Sequence, residues 1–321
     1  MSYLQTVLGR LDPSEMGHGQ IHEHLFVRHT PMALLNPALQ FDDYARSLAE
    51  LRAYRAKGGS FLVDAQPVAA GRDAEMLCAL SRESGVAITA STGYHLLGFY
   101  SPDCWVHALD EEGLFKLYLS EVMEGMLPWD GDASRRPEGR SAARAGLVKA
   151  AIPKEGPVGR YATLLRAAAR AAIAADIPLM LHTEAGMGAL EAISLCGIMG
   201  LPPHRMVVCH VDRQAADFTP HESIAQTGVY LDYDTIARIK YHSDEEEVAL
   251  VSHMLALGYG PQLLLALDTT AARLSSYGGP TGLGYILDTF LPLLREAGAS
   301  EEDLERMTVN NCRRLFFGAL K

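Results

Sequence analysis

The amino-acid sequence predicts an α/β protein with a (β/α)8 barrel, also called a TIM barrel, and an extra C-terminal helix. Short apolar segments alternate with longer segments of helical periodicity from one end of the chain to the other. Glycines such as Gly85 and Gly258 follow several helical segments, at the position where helices commonly end. A doubly wound open sheet shows the same alternation and remains an alternative. Since α/β barrels of this size form one domain, we expect residues 1–321 to be a single domain.

The predicted strands and helices alternate in a regular order. Strands are predicted at residues 19–27, 61–66, 87–94, 146–152, 178–184, 206–212, 229–234 and 263–270. Helices are predicted at 43–57, 73–84, 111–126, 159–176, 187–199, 219–227 and 244–257, followed by an eighth helix at 283–297 and the additional one at 300–316. Two longer connections interrupt this order. We interpret 95–110 as a loop at the rim of the barrel and 127–140 as a surface excursion.

Composition excludes several classes of protein. The formal net charge is −11 and no basic stripe is present, so we expect no nucleic-acid partner. No apolar run approaches the roughly 20 residues of a membrane helix, and the first residues lack the charged and apolar regions of a signal peptide. The five scattered cysteines lack CxxC spacing, which is typical of a reducing compartment. We therefore expect a cytoplasmic protein that does not bind membranes.

A short motif near the N-terminus indicates chemistry. His22 and His24 are two residues apart in the first predicted strand, so both side chains point to the same side of the sheet. Two imidazoles on one face can bind a single metal ion. Two polar residues in a loop would give the same motif, so the metal interpretation depends on further ligands at the ends of later strands.

Further polar residues lie in later apolar strands or close them. Lys149 lies in the fourth predicted strand and Asp268 closes the eighth, while His182 and His210 close the fifth and sixth. Taken singly, a histidine there is commonly a hydrogen-bonded core residue, a lysine a salt-bridge partner and an aspartate a helix N-cap. In a barrel the strand ends meet at one face, where isolated buried charges would be costly, so we expect these groups to share a site. Four histidines, a lysine and an aspartate suit a two-metal site for hydrolysis.

At these residues the sequence resembles the phosphotriesterase-like branch of the amidohydrolase superfamily, over nearly the whole chain. The resemblance is carried by short motifs that are weak alone and specific together. They are His22-Glu23-His24-Leu25, Val63-Asp64 with Gly71-Arg72-Asp73, Thr92-Gly93-Tyr94, Ala145-Gly146-Leu147-Val148-Lys149, His182-Thr183-Glu184, Cys209-His210-Val211-Asp212, the strand ending at Asp268, and Val309-Asn310-Asn311-Cys312-Arg313-Arg314-Leu315-Phe316. Cys312 stands where a proline is usual in the last motif.

The resemblance implies two divalent metal ions, commonly zinc, bridged by a carboxylated lysine and a hydroxide. Mapped onto this sequence, His22, His24 and Asp268 would hold the buried ion. His182 and His210 would hold the exposed ion, with N6-carboxylated Lys149 bridging both. The modification is chemically reasonable because an ammonium group has no lone pair, whereas a carbamate offers two anionic oxygens. The implied reaction is attack by the bridging hydroxide, with Asp268 moving its proton to the leaving group, so Asp268 and Lys149 are the predicted catalytic residues.

Substrate specificity is expected in the loops after the strands, where five residues are assigned to substrate binding: Arg213, Lys240, Tyr94, Arg273 and Tyr277. These basic and phenolic groups resemble members that open lactones of phosphorylated sugars, where such residues clamp a remote phosphate. Alternatively, the basic residues of the loop at 235–241 are solvated and pair with Glu245 or Glu246. The stretch Thr269-Thr270-Ala271-Ala272 departs from those lactonases, which would have more polar side chains there. The bound anion is therefore either a phosphate or a carboxylate.

Three functions remain open from the sequence. The first is hydrolysis of a lactone or related carboxylic ester that bears an anionic group. The second uses the same metal centre to cleave a phosphoester, including a phosphotriester, or an amide. The third is a metal-stabilised binding protein without turnover, which the complete set of six candidate ligands disfavours. In each case we expect a small-molecule partner and a homodimer.

Overall fold

Eight parallel strands form the central sheet, and each pairs with the strand next to it in the chain. The computed structural model describes residues 3–129, 131 and 133–318. A two-stranded antiparallel hairpin, Leu4–Thr6 (β1) and Gly9–Leu11 (β2), precedes the sheet. The strands of the sheet are His18–Glu23 (β3), Gly59–Asp64 (β4), Ala87–Tyr94 (β5), Ala145–Ala151 (β6), Leu179–His182 (β7), Met206–Cys209 (β8), Tyr230–Tyr233 (β9) and Leu263–Leu265 (β10).

The first and last strands of the sheet lie side by side and close it into a barrel. The backbone N–H of Asp268, just beyond β10, donates a hydrogen bond of 3.0 Å to the carbonyl of His22 in β3. The N–H of Leu267 donates to the side chain of Glu23 at 2.9 Å. Because the strand order follows the chain and the ends meet, the predicted (β/α)8 barrel is confirmed and the open doubly wound sheet is excluded.

Helices follow the strands and surround the barrel. They are Pro31–Leu35 (α1), Tyr44–Ala56 (α2), Ala74–Ser84 (α3), Glu111–Met123 (α4), Arg160–Ala175 (α5), Ala189–Ile198 (α6), Thr219–Ala225 (α7), Asp244–Ala256 (α8), Leu291–Glu296 (α9), Glu301–Glu305 (α10) and Asn311–Phe317 (α11). The predicted eighth helix corresponds to α9 and the π-helical turn Ile286–Phe290 before it. The predicted extra C-terminal helix is confirmed as α10 and α11, joined by the π-helical turn Arg306–Asn310.

Several strands end earlier than their apolar pattern predicts, and polar residues follow the observed ends. The predicted strand 263–270 is regular only over β10, and 206–212 only over β8. Beyond these ends, His210 and Asp268 have φ angles of +66° and +48°, in the left-handed region that residues with a Cβ atom seldom adopt. Backbone strain of this kind is concentrated at functional sites, and here it marks two of the predicted metal ligands.

The C-terminal helix packs against one end of the barrel. Inside the barrel, Phe61 near the start of β4 contacts Phe316 of α11, with ring centroids 5.6 Å apart. Arg205, just before β8, donates hydrogen bonds to the carbonyls of Leu315 and Phe316 at 3.0 and 2.9 Å. Since α11 covers the end where the strands begin, the opposite end, where they finish, is left for the site.

The two longer connections differ in what they contribute. The segment 95–110 contains the 3-10 turns Leu97–Phe99 and Trp105–Ala108, and its first residues line the cavity described below, so its interpretation as a rim loop is confirmed. The segment 127–140 has neither helix nor strand over its described residues, and positions 130 and 132 lie outside them. Among the described helices, none has both the length and the apolarity to cross a membrane.

Candidate metal centre

The six predicted ligand residues come together where the barrel strands end. We call them the floor of the site: His22, His24, Lys149, His182, His210 and Asp268. The ring centroids of His182 and His210 are 4.3 Å apart, and those of His22 and His210 are 4.8 Å apart. The Nε2 atom of His24 lies 3.5 Å from the Oδ1 atom of Asp268. Five strands of the barrel therefore bring these side chains to one place.

The floor contains two overlapping groups of potential metal ligands. His22, His24 and Asp268 form one group, and His22, His182 and His210 form the other; in each group the ligand atoms lie within 4.8 Å of one another. The Nε2 atom of His22 and the Nζ atom of Lys149 are buried without a hydrogen-bond partner among the described residues. Buried polar atoms without partners are rare and costly. A cation would satisfy the lone pair of His22, and Lys149 would face a cation as its carbamate. The residues present therefore fit a metal centre, and a second ion would need carboxylated Lys149 because the two groups share His22.

Burial keeps three of the floor histidines, His22, His182 and His210, in the protonation state that a metal requires. Burial, and next the charge of Lys149, lower the pKa of His22 to about 3. Burial likewise holds the pKa of His182 well below its usual value and lowers that of His210. A neutral imidazole offers a lone pair to a cation, whereas a protonated one does not. These three side chains are thus available as ligands at neutral pH.

Asp234, which follows β9, orients two of the floor histidines. Its Oδ2 atom accepts a hydrogen bond of 2.9 Å from Nδ1 of His22, and its Oδ1 atom accepts one of 2.6 Å from Nδ1 of His210. Both histidines then present their Nε2 atoms to the floor. Burial acts to raise the pKa of Asp234, but His210 and His22 hold it below the usual range, so the carboxylate is charged. A carboxylate behind a histidine is a common support of metal sites because it fixes the tautomer and the ring orientation.

Lys149 has the environment that carboxylation requires. Its side chain is fully buried on β6, and burial lowers the pKa of its amine. Gly93 pairs with Lys149 on the neighbouring strand β5, and a Cβ atom at this glycine would collide with the Lys149 carbonyl. Only the neutral amine can react with carbon dioxide to give a carbamate. The lowered pKa of the Lys149 amine therefore suits a modified side chain.

An arginine of the loop after β9 holds Asp268 on the side that faces away from His22 and His24. Arg238 donates a hydrogen bond of 2.7 Å to Oδ2 of Asp268 and another of 2.7 Å to its carbonyl. The Oδ1 atom then faces His24 and His22, at 3.5 and 3.9 Å. Burial would raise the pKa of Asp268, but Arg238 and then His24 hold it well below its usual value. Asp268 is therefore an ionised acceptor with one oxygen directed at the floor.

A cavity of about 240 Å³ lies above the floor. Its cationic and phenolic side is what we call the rim, and consists of Arg213, Arg238, Lys240 and Tyr241. Its other side is apolar and includes Val27, Leu39, Phe41, Leu96 and Phe99. Arg213 donates a 2.8 Å hydrogen bond to Glu184, and Lys240 has its Nζ atom 4.4 Å from the ring centroid of Tyr241. Across residues 3–129, 131 and 133–318, Lys240 makes no ion pair, and the pairing of this loop with Glu245 or Glu246 is not found.

The structure places only two of the five predicted substrate-binding residues in the cavity wall, Arg213 and Lys240. Tyr94 is buried in the apolar layer outside the barrel, because its neighbour Gly93 takes the inward position beside Lys149 and successive strand residues alternate. Arg273 is also buried and donates to the carbonyls of Leu267 and Ile236. Tyr277 bonds to Ser47 and to the carbonyl of Asp43. The assignments of Tyr94, Arg273 and Tyr277 are thus corrected: in this structure their contacts are with the fold.

Three residues of the site were not in the predicted set: Asp234, Arg238 and His95. His95 directly follows β5 and lines the cavity, with its ring stacked on Phe99 and 4.9 Å from the ring of His182. Like His182 and His210, it stands at the end of an apolar strand, so the same sequence signal could have found it. Asp234 follows the apolar strand β9 in the same way. Arg238 belongs to the basic loop 235–241 that the sequence predicts at the rim, but nothing in the sequence indicated its contact with Asp268.

The geometry agrees with comparisons to known proteins. The model of the phosphotriesterase family matches residues 2–316. The chain belongs to this family. The predicted family is thereby confirmed, and the family places the chain among metal-dependent hydrolases that act on esters.

Relatives within the family differ in the reaction they are named for. A phospho-furanose lactonase from Mycoplasmopsis synoviae is 27% identical over 98% of this chain and 91% of its own length. An N-acetyltaurine hydrolase from Danio rerio is 26% identical over 97% of each chain. The crystal structure of a lactonase from Listeria monocytogenes superposes with a TM-score of 0.87 at 26% identity, covering 98% of this chain and 99% of that chain. Family membership thus leaves the substrate to be argued from the cavity.

Proposed function

We propose that this protein is a binuclear metal-dependent lactonase whose substrate is a compact sugar lactone bearing an anionic group, phosphate in the first instance. The observation that carries the proposal is the position of the cationic rim directly above a floor that fits a metal centre. His22, His24 and Asp268 would hold one ion, His182 and His210 the other, with carboxylated Lys149 shared. When bound, the ions, zinc by preference, would polarise the substrate carbonyl and lower the pKa of water.

Asp268 has the geometry of a proton acceptor for the attacking water. Arg238 occupies its Oδ2 atom and its carbonyl, so the carboxylate cannot rotate freely and Oδ1 stays directed at the floor. A carboxylate held in this way accepts the proton of the water and returns it to the leaving oxygen as the ring opens. Asp234 contributes indirectly, since it keeps His22 and His210 in the orientation described above.

The rim selects for an anion remote from the reacting carbonyl. Arg238 is engaged with Asp268 and Arg213 with Glu184, which leaves Lys240 as the exposed rim cation with no ion pair among the described residues. An ammonium group at the mouth of the cavity can bind phosphate or carboxylate oxygens without breaking an existing pair. The phospho-furanose lactonase among the relatives supports phosphate as the anion.

The charge of the cavity wall argues against a neutral phosphotriester. Three ester arms would have to pack against Arg213, Lys240 and the apolar side together, and Lys240 would then be desolvated without an anionic partner. A small substrate with one anionic group avoids this cost, because the anion pairs with Lys240. The relative named N-acetyltaurine hydrolase makes cleavage of an anionic amide the second candidate.

A pH-indicator screen of zinc-loaded protein tests the proposal. The panel contains sugar lactones with a phosphate, with a carboxylate and with no charge, an N-acetyl aminosulfonate and a neutral phosphotriester. We expect kcat/KM for the phosphorylated lactone to exceed that of the neutral lactone by about tenfold or more, because one charge-assisted contact contributes about 1.5–3 kcal/mol. A higher kcat/KM for the amide would replace the lactone by the second candidate.

Metal analysis on the same samples separates an enzyme from a binding protein. Asp268→Asn is the matched variant, since it keeps the size of the side chain but removes the proton acceptor. Full metal occupancy in the wild type together with no turnover of any panel member would support a binding protein and contradict hydrolysis. Turnover in the wild type that Asp268→Asn removes while the metal content stays measurable would support the role of Asp268.

A further inference from the structure

A second buried cluster of metal-binding side chains lies apart from the floor. It consists of Asp212 in the turn after β8, His242 in the loop after β9 and Glu247 in the first turn of α8, and their ligand atoms lie within 4.8 Å of one another. Asp212 and Glu247 are fully buried, and His242 is 6% exposed. The mechanism argued above uses none of these three side chains.

The Nε2 atom of His242 points into the cluster, where the Thr235 hydroxyl lies 2.9 Å from it. Its Nδ1 atom lies 3.0 Å from the backbone carbonyl of Ser243, which can only accept, so Nδ1 carries the proton. The Nε2 atom of the neutral ring lies 3.0 Å from Oε2 of Glu247. Two acceptors face each other at this distance only when a proton or a cation lies between them. A histidine that donates its other N–H to a backbone carbonyl is the arrangement usual for metal ligands.

Both carboxylates of the cluster have oxygens without a partner. Asp212 accepts a 2.5 Å hydrogen bond from the backbone N–H of Thr235 through Oδ2, and its Oδ1 atom is buried without a hydrogen bond among the described residues. The Oε1 atom of Glu247 is also buried without a hydrogen bond in the described part of the chain, and its Oε2 atom faces Nε2 of His242. Buried oxygens without a donor are destabilising unless a cation or a proton satisfies them.

The charge of the cluster matches one dication. Two carboxylates and a neutral imidazole carry a charge of −2, and a fully buried charge of this size is not stable alone. Burial, and next the carboxylates of Asp212 and Asp234, hold the pKa of Glu247 well above its usual value, which shows how strongly the site disfavours an uncompensated anion. One oxygen ligand from each carboxylate and one imidazole nitrogen form a set that zinc and manganese accept.

We propose that Asp212, His242 and Glu247 form a separate structural site for one divalent transition-metal ion. Zinc is the ion used to test it. The site would join the segment after β8, the segment after β9 and the start of α8. These two segments carry His210 and Arg213 on one side and Arg238 and Lys240 on the other. The ion would therefore fix the rim relative to the floor without contacting the substrate.

Metal counting after chelation and reloading with zinc tests the proposal. Glu247→Gln keeps the shape of the side chain and removes one charge, so we expect this variant to bind one zinc ion fewer per chain than the wild type. The measured quantity is the difference in zinc ions per chain between the variant and the wild type, so the result does not depend on how many ions the floor binds. Glu222→Gln is the matched control because Glu222 pairs with His253 at 2.7 Å in a half-exposed position, and we expect its zinc content to equal that of the wild type.

Anomalous diffraction from zinc-loaded wild-type crystals provides a second measurement that no variant can confound. We expect a zinc peak enclosed by Asp212, His242 and Glu247, separate from any peak at the floor. Zinc-saturated crystals without this peak, or equal zinc counts in the wild type and a folded Glu247→Gln variant, would overturn the proposal. Protons would then neutralise the cluster.

Discussion

The floor and the rim of the cavity are built from different parts of the chain. The floor residues lie within barrel strands or directly after them, where the hydrogen bonds between strands fix the backbone on both sides. The rim residues lie in the segments after β8 and β9, and their positions depend on side-chain contacts such as Arg213 with Glu184 and Arg238 with Asp268. The floor is therefore held by the fold itself, and the rim by a few ion pairs.

This difference separates chemistry from specificity. Changes in the floor should affect metal binding and turnover of every substrate, because its residues contact the reacting centre. Removing the charge of Lys240 at the rim should affect only substrates that carry the complementary charge, because this side chain lies at the mouth of the cavity and does not contact the floor. Loops carried on a rigid barrel can vary without loss of the fold, which is how one scaffold serves several reactions.

The largest effect is expected from Lys149→Ala. Loss of the buried amine removes the ligand that we propose both metal ions share, so we expect metal content to fall and kcat/KM to decrease by about 10³-fold, equivalent to about 4 kcal/mol. Metal analysis and turnover of the preferred substrate measure the two quantities. Lys154→Ala is the control, since Lys154 is exposed in the segment after the same strand.

Adding short carboxylic acids to Lys149→Ala tests the bridging role of Lys149 further. They can occupy the space vacated by the Lys149 side chain and offer two oxygens in place of a carbamate, so we expect partial rescue of Lys149→Ala and none of the control. Wild-type metal content in Lys149→Ala would contradict the bridging role and would leave the floor with histidine and aspartate ligands alone.

A smaller effect is expected from Asp234→Asn. The amide can accept only one of the two hydrogen bonds that Asp234 now receives from His22 and His210. We therefore expect metal affinity to fall by about 10- to 100-fold, as is typical when a carboxylate behind a ligating histidine is lost. Titration with a competing chelator measures the affinity. Excess metal should restore most of kcat, and failure to do so would mean that Asp234 acts in the reaction and not on the ligands.

The same contrast explains what could be predicted from the sequence. The fold and the six floor residues were predictable because polar residues that end apolar strands recur at the same level of a barrel. Tyr94 does not reach the cavity because side chains alternate along β5, and Gly93 takes the inward position beside Lys149. The motif Thr92-Gly93-Tyr94 alone does not show this. The contact of Arg238 with Asp268 and the buried position of Arg273 were not predictable, since the direction of a loop side chain depends on contacts with distant segments.

A still smaller and more selective effect is expected from Lys240→Met at the rim. Methionine keeps the length of the side chain and removes its charge, so we expect KM for the anionic substrate to rise about tenfold, equivalent to about 1.4 kcal/mol, and KM for its neutral analogue to stay unchanged. Lys116→Met on the exposed surface of α4 is the control for loss of a lysine. Equal changes in KM for both substrates would remove Lys240 from anion binding.

The smallest effect is expected from Tyr94→Phe, which tests the corrected position of this residue. The Tyr94 hydroxyl is buried without a hydrogen bond among the described residues, so its removal should leave the free energy of unfolding unchanged or raise it by about 1 kcal/mol. Because the ring packs in the layer outside the barrel, kcat and KM should stay at wild-type values. Denaturant unfolding and steady-state kinetics measure both. A selective rise in KM for the anionic substrate would show that Tyr94 reaches the cavity after all, and the boundary between floor, rim and outer layer would then have to move.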